Sequence, residues 1–217
     1  MSHSPFERHV EAYDRWYDDH EGAYRAERTA IEHALPASFE SSRALEVGVG
    51  TGRFAAPLEV SLGVDRARAP LECSHSRGVR PIRGVAESLP IAENTLEVAL
   101  AVTVLAFVDP RRTLTELRRV LVDDGMLVVA VLDRASPPGK RYQEHADESP
   151  FYADATFLSA DVTADALEEA GFRIDRRLQA LFDHPAELAP DSIRTVDVRD
   201  GHGDGLFAVF RAVPEDG

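Results

Sequence analysis

A doubly wound α/β fold, with seven strands in a mainly parallel sheet and helices on both faces, is predicted by the order of apolar segments along the chain. Three observations carry that prediction. Short apolar runs alternate with stretches of helical periodicity. The most apolar run, Leu96 to Val102, is nearly unbroken, as a strand covered on both faces should be. The first strand runs directly into Gly48-Val49-Gly50-Thr51-Gly52, a turn that feeds a helix.

Each element follows in order. From Phe6 to Leu35 apolar and aromatic residues, including Val10, Tyr13, Tyr17 and Tyr24, recur at helical spacing. Two helices separated near Gly22 and ended by Pro36 are expected. Ala44 to Val47 is the first strand, and a helix is expected from Arg53 to about Glu59. The second strand spans Val60 to Val64 and ends at Asp65, before a helix that Pro70 allows to begin late. Val79 to Ile82 forms the third strand and leads into the loop Gly84-Val85-Ala86-Glu87-Ser88-Leu89-Pro90. Past the fourth strand, Leu96 to Val102, Asp109-Pro110 gives an N-cap and a proline at the first position of a helix through Leu121. Asp124-Gly125 should turn the chain into the fifth strand, Met126 to Leu132. Residues 134 to 158 read as a functional loop with a short helix. Ser159 or Asp161 can cap a helix ending at Ala170-Gly171. Phe172 to Leu181 and Leu206 to Ala212 complete the strands, the last preceded by the turn Gly201 to Gly205.

A length of 217 residues with 44% hydrophobic content suits one domain over residues 1–217. No run of 18 apolar residues occurs, and the first residues have neither the basic patch nor the apolar core of a secretory signal. A cytoplasmic protein with no integral membrane association is expected. Cys73 is the single cysteine, so an internal disulfide is excluded and no metal site is expected. The formal charge of −14 would repel a phosphate backbone, which disfavours nucleic acid as a partner.

The chemistry-bearing signal begins at Leu45-Glu46-Val47-Gly48-Val49-Gly50-Thr51-Gly52, where a sheet of this type places its ligand beyond the strand ends. Small residues there let a ligand approach the backbone, though any tight strand-to-helix turn can use glycine. Asp65 ends the next strand, where a carboxylate can accept from both hydroxyls of a ribose. Together they point to a nucleoside and leave nicotinamide and S-adenosylmethionine both open.

The stretch from Ala44 to Phe172 resembles the class I S-adenosylmethionine-dependent methyltransferases, of the kind that includes quinone-biosynthesis and related small-molecule enzymes. Glu46 to Gly52 is similar to their first motif, Gly63-Val64-Asp65 to their second, and Gly84 to Pro90 to their adenine-side loop. The turn also lacks the Gly-x-Gly-x-x-Gly spacing of dinucleotide binders. Tyr13-Asp14-x-Trp16-Tyr17 resembles an aromatic helix that folds over the cofactor in many of these enzymes. The resemblance implies a Rossmann-like sheet of order 3-2-1-4-5-7-6 with the seventh strand antiparallel. S-adenosylmethionine is the implied cofactor and a small molecule the implied acceptor. Gly48 and Gly50 would border its methionine part, with Glu46 and Val49 beside them. Asp65 would hold the ribose, Ala86 and Glu87 would flank the adenine, and Thr103 would face the sulfonium. Tyr13, Trp16 and Arg66 join the implied cofactor site. Val85 departs from the family, where an aspartate often binds the adenine amino group, and Arg66 and Pro70 depart as well.

Methyl transfer needs placement more than a catalytic triad, although a hydroxyl or carbon acceptor also needs a base. His20, Tyr17, Tyr142, His145 and Tyr152 are the candidates, without diagnostic spacing; a packing or surface role competes for each. Asp133-Arg134 ends a strand, where function and a salt-linked loop start are equally served. Cys73 and His75 are assigned no chemistry. Residues 1–36 and 134–158 are expected to close over the acceptor as an N-terminal helical lid and a substrate-side insertion. The rival readings are a non-catalytic S-adenosylmethionine-binding regulator and a nicotinamide-dependent oxidoreductase.

Acidic residues number 38 against 24 basic ones, of which Lys140 is the only lysine. That combination reads as adaptation to a salty cytoplasm, where screening relieves self-repulsion; a GC-rich genome is the alternative source of arginine over lysine. Refolding stability should therefore fall as salt is lowered towards about 0.1 M, where the Debye length lengthens. A melting temperature indifferent to salt would favour the genomic explanation.

Overall fold

The computed structural model describes residues 5–144, 149–152, 155–183 and 197–215. The N-terminal segment forms α1 (Pro5–Arg8), α2 (Val10–Asp19) and α3 (Glu21–Ala34). Three helices thus replace the expected two, and the break falls at His20 rather than Gly22. His20 has φ −120° and ψ 45°, outside helical geometry, while Gly22 is buried in the first turn of α3.

The strands are β1 (Ala44–Val47), β2 (Leu62–Asp65), β3 (Arg80–Arg83), β4 (Leu96–Val102), β5 (Leu121–Leu132), β6 (Phe172–Ala180), β7 (Arg199–Asp200) and β8 (Phe207–Pro214). Their order is β3-β2-β1-β4-β5-β8-β6-β7. The first five pair in parallel, and β8 runs antiparallel to both β5 and β6. This is the expected Rossmann-like order, with one correction. The sheet has eight strands instead of seven, because the two-residue β7 adds an antiparallel edge to β6. The remaining helices are α4 (Arg68–Ser76), α5 (Pro110–Val120), α6 (Pro137–Gln143) and α7 (Ala160–Glu169).

Two further expectations are corrected. Residues 51–59 wind through consecutive turns and do not form a helix. Pro57 has no N–H to return to the carbonyl four residues back, and Glu59 at φ 59° ends the winding. Asp124-Gly125 lies inside β5 rather than before it. Leu96 pairs with Leu121 but Val98 with Met126, so β5 takes up its extra residues as an irregularity between these pairs. The caps fall where expected: the side chains of Asp109 and Ser159 accept from Arg112 N and Val162 N.

Alternation along the strands divides the core into two layers. Leu45, Val47, Ala99, Val129 and Phe210 pack with Leu114 and Leu117 of α5 and Leu167 of α7. Val98, Leu100, Val128, Ala130 and Val209 pack with Ala23, Ala30, Ile31 and Ala34 of α3. The helices thereby hold the carboxyl ends of β1, β2 and β4 open to one side.

Two carboxylates are immersed on the α3 side. Glu27 is 4% exposed and Glu46 2%. Burial pushes both from 4.5 up to about 8; for Glu46 the Ala55 amide works against that rise and Asp65 adds to it. The folded chain then retains protons that the unfolded chain gives up between about pH 4.5 and 8, so stability falls as pH rises through that window. The loss is at most about 5 kcal/mol for each group. Denaturation at about pH 5 and about pH 8 checks the sign: the midpoint should be lower at the higher pH, and Glu46→Gln should lose part of the difference.

Candidate functional site

The carboxyl ends of β1, β2 and β4 open onto a cavity of about 290 Å³, at the position where open α/β sheets bind ligands. Its floor is the bend after β1. Gly48 N and Val49 N both donate to the Val64 carbonyl, at 2.8 and 3.1 Å. Gly48 has φ +71°, and a Cβ there would stand 2.5 Å from Val104 Cγ2. A side chain is therefore excluded by backbone strain and by contact. Gly50, at φ +51°, donates its N–H to Asp65 Oδ2 at 3.0 Å, while Ala67 N donates to Oδ1 at 2.8 Å. Burial raises the Asp65 pKa against the pull of these amides. The carboxylate faces the bend, with the cavity bordered by both.

Of the residues singled out by the sequence, Tyr13, Gly48, Gly50, Asp65, Arg66, Ala86, Glu87 and Thr103 line this cavity. Val49, Glu46 and Trp16 do not. Val49 is buried over β2, where a Cβ on Gly63 would meet its methyls at 2.7 Å. Glu46 points into the core; the Ala55 amide donates to it, and its Oε2 has no partner among the described residues. Trp16 stacks on His20 with ring centroids 4.4 Å apart. Val85 and Pro70, noted as departures, are part of the lining. Phe6, Val10, Phe107 and Val108 also line it and were not singled out. Their only sequence signal is position, on the first helices or just past β4.

Thr103 stands at the junction of two spaces. It lines the large cavity and also a void of about 10 Å³ bordered by Ala106, Val131, Tyr152 and Phe157. Its φ of 53° is left-handed, an outlier for a β-branched residue. Such strain persists only where surrounding structure holds it; here Thr103 N donates to the Ala130 carbonyl at 2.8 Å.

The helices over the cavity are tied down by carboxylates. Asp14 on α2 accepts from Thr51 Oγ1 at 2.7 Å, Arg53 Nε at 3.0 Å and Arg77 at 2.7 Å. Burial acts to raise its pKa, yet the bonds from Arg77, Thr51 and Arg53 outweigh that and hold its carboxyl below the usual range. Glu7 on α1 accepts from Arg68 N at 2.7 Å, at the start of α4. The aromatic motif contained Asp14, but its partners are 37 to 63 residues away and no local pattern announces them.

The candidate bases separate clearly. His20 Nδ1 is bonded to the Trp16 carbonyl at 2.8 Å and lies outside the cavity lining. Burial raises Tyr17 well above its ordinary value and pushes Tyr152 up to about 12, so both hold their protons at neutral pH. Tyr142 is raised in the same way, by burial first and then by the charge of Tyr152. His145 lies outside the described residues. Asp133 is 1% exposed and accepts from Ala135 N and Ala160 N, which anchors the start of α7. Cys73 and His75 sit on α4. Among the described residues no group of three His, Cys, Asp or Glu is arranged to hold a metal, and no helix is long and apolar enough to cross a membrane.

Asp14→Ala would leave Thr51, Arg53 and Arg77 without their acceptor, a cost of about 1–3 kcal/mol. Limited proteolysis should then cut between residues 5 and 19 much faster than in the parent chain, while the remaining domain stays resistant. Equal cutting rates would show that α2 is held by its aromatic packing alone.

A family profile described as "Methyltransferase domain" matches residues 45–129. An uncharacterized protein of Methanocaldococcus jannaschii is 35% identical over 208 residues, covering 95% of this chain and 97% of that protein. The crystal structure of a SAM-dependent methyltransferase from Thermotoga maritima, described as a possible histamine N-methyltransferase, is 38% identical. It covers 97% of this chain and 99% of its own, with a TM-score of 0.89. Geranyl diphosphate C-methyltransferase from Streptomyces coelicolor, solved with S-adenosyl-L-homocysteine, shares the fold at 15% identity and a TM-score of 0.63. That alignment covers 88% of this chain and 77% of the enzyme's. The chain belongs to the S-adenosylmethionine-dependent methyltransferases, and S-adenosylmethionine is its cofactor.

Proposed function

We propose that this protein transfers a methyl group to a small-molecule acceptor, with the cofactor held between the Gly48–Gly50 bend and Asp65. One observation carries the reading: the Asp65 carboxylate is fixed by Gly50 N at 3.0 Å and still borders an open cavity of about 290 Å³. A carboxylate has about four lone-pair directions, so two amide bonds leave capacity for ribose hydroxyls. The left-handed backbone at Gly48 and Gly50 leaves no side chain between bend and ligand, which suits the methionine tail of the cofactor.

Ala86 and Glu87 flank the adenine in this reading. Val85, 46% exposed, gives that side an apolar edge where many relatives carry a carboxylate. Arg66 borders the same region, and Glu46 and Val49 act from behind the bend by fixing its shape. Tyr13 closes the cavity from α2, with Trp16 packed outside it. α1 to α3 act as a lid, and the described part of residues 134–158 walls the acceptor side of a single domain.

When bound, S-adenosylmethionine supplies a methyl group on a positively charged sulfonium, whose sulfur keeps the electron pair of the breaking bond. The work of the protein is to align an acceptor lone pair behind that methyl and to keep water away. Thr103, at the junction of the two spaces, is the residue that meets both reactants. The acidic surface suits a small acceptor better than a nucleic acid.

Isothermal titration at high salt tests the reading. S-adenosylhomocysteine should bind, and Asp65→Asn should weaken it by about tenfold to a hundredfold, as expected for lost hydrogen bonds to a charged acceptor. An affinity unaffected by Asp65→Asn would remove the ribose assignment, and absence of any binding would remove the methyltransferase reading.

A further inference from the structure

Two carboxylates from distant parts of the chain share the start of α4. The first turn of a helix leaves four amide positions without intrahelical acceptors, here residues 67–70, and Pro70 has no N–H to offer. Ala67, at the cap position, has no side-chain oxygen to accept from the other amides. Ala67 N donates to Asp65 Oδ1 at 2.8 Å. Arg68 N donates to Glu7 Oε2 at 2.7 Å, and Ala69 N makes a longer contact of 3.5 Å with the same oxygen. Glu7 lies 61 residues before Arg68, on α1, so a covering helix caps α4 from outside.

This division of amides bears on the site, because Asp65 is the carboxylate that borders the cavity. A carboxylate just before a helix reaches the amides two and three residues ahead, which for Asp65 are those of Ala67 and Arg68. Glu7 occupies the second of these. Asp65 is left with Oδ1 on Ala67 N and Oδ2 on Gly50 N, the two bonds that hold it against the bend. Phe6, the residue before Glu7, lines the same cavity and meets Tyr13 and Phe107 edge to face at 5.6 and 5.2 Å. One short helix thus covers the cavity with one side chain and caps α4 with the next.

We propose that Glu7 is a positioning residue for the ribose of the cofactor: with α1 in place it takes the Arg68 and Ala69 amides, and so keeps Asp65 turned to the sugar hydroxyls. This deepens the proposed cofactor site and rests on it. Without Glu7, the Arg68 amide competes with Gly50 N and with the ribose for the lone pairs of Asp65. Glu7 is not part of the cavity lining and acts only through the start of α4. The grip on the sugar is thereby tied to the closure of α1, through two carboxylates that share one helix end.

The test titrates the full chain with S-adenosylhomocysteine and with its 2′-deoxy counterpart, and reads the ratio of the two affinities. In the parent chain the hydroxyl should be worth about tenfold or more, as a hydrogen bond to a charged acceptor. Glu7→Ala should bring that ratio to within about threefold, by weakening S-adenosylhomocysteine while the deoxy compound stays within about twofold of the parent. Glu7→Gln keeps an oxygen for the Arg68 amide and should restore most of the ratio. A cap that merely holds the lid would weaken both ligands equally, so a ratio unchanged by Glu7→Ala would overturn the proposal and leave the cofactor site standing. A parent chain that binds both compounds equally would remove the ribose assignment of Asp65, and with it this proposal. Failure to bind either compound would remove the methyltransferase reading itself, a separately visible result.

Discussion

The site depends on the stitch between the bend after β1 and the end of β2. Gly48 N and Val49 N converge on one carbonyl of β2, that of Val64, and Gly50 N reaches the next residue's carboxylate. Three successive amides are thereby turned to the neighbouring strand, which is possible only because Gly48 and Gly50 accept positive φ. The same bonds fix Asp65 in register with the bend. The floor of the cavity is thus positioned by backbone atoms of two adjacent strands.

That stitch sets one wall; the opposite wall is held by side chains. α2 reaches the bend through Asp14, whose partners Thr51 and Arg53 flank Gly52 and whose third partner, Arg77, follows α4. Glu7 joins α1 to the start of α4 in the same way. The covering helices are thus held to the strand ends by a few charged groups at their rims, in addition to the aromatic contacts of Phe6 and Tyr13. If these helices serve as the proposed lid, polar contacts of this kind are the ones that would open and re-form, leaving the two apolar layers intact.

Legibility in the sequence followed the range of the forces. The caps at Asp109 and Ser159 and the glycine bend rest on local chemistry and were readable, whereas the strand order came from the family resemblance. The helix expected from Arg53 failed because Pro57 and the left-handed Glu59 interrupt it, and Pro57 was there to be weighed. β7 was invisible because two residues carry no periodicity. Among site residues, seven of the eight brought to the cavity came from motifs at strand ends, and Tyr13 came from the aromatic helix. Val49 and Glu46 belonged to the same motif, yet alternate residues of a strand point to opposite faces, and one glycine-rich bend cannot aim all its neighbours at one ligand. Phe107 and the partners of Asp14 depend on tertiary approach and left no mark in the sequence. Glu27 did leave one, a charged residue at an apolar position of a helical stripe, and only burial reveals its meaning.

Unfavourable terms occur both at the cavity and away from it. Of the four non-glycine residues with positive φ among the described residues, Glu59, Asn94, Thr103 and Leu181, only Thr103 borders the cavity. It is also the one that lines both the large cavity and the small void. Asp65, Glu46 and Glu27, three carboxylates raised by burial, lie on one side of the sheet and above its strand ends. Each would be more stable in water, and each is held by apolar layers in which Leu45, Leu100, Val128 and Phe210 are fully buried. Raised to about 8 by burial, Glu27 and Glu46 keep their protons at neutral pH, so the layers on that side carry neutral carboxyls there and take on charge only as the pH climbs past that value.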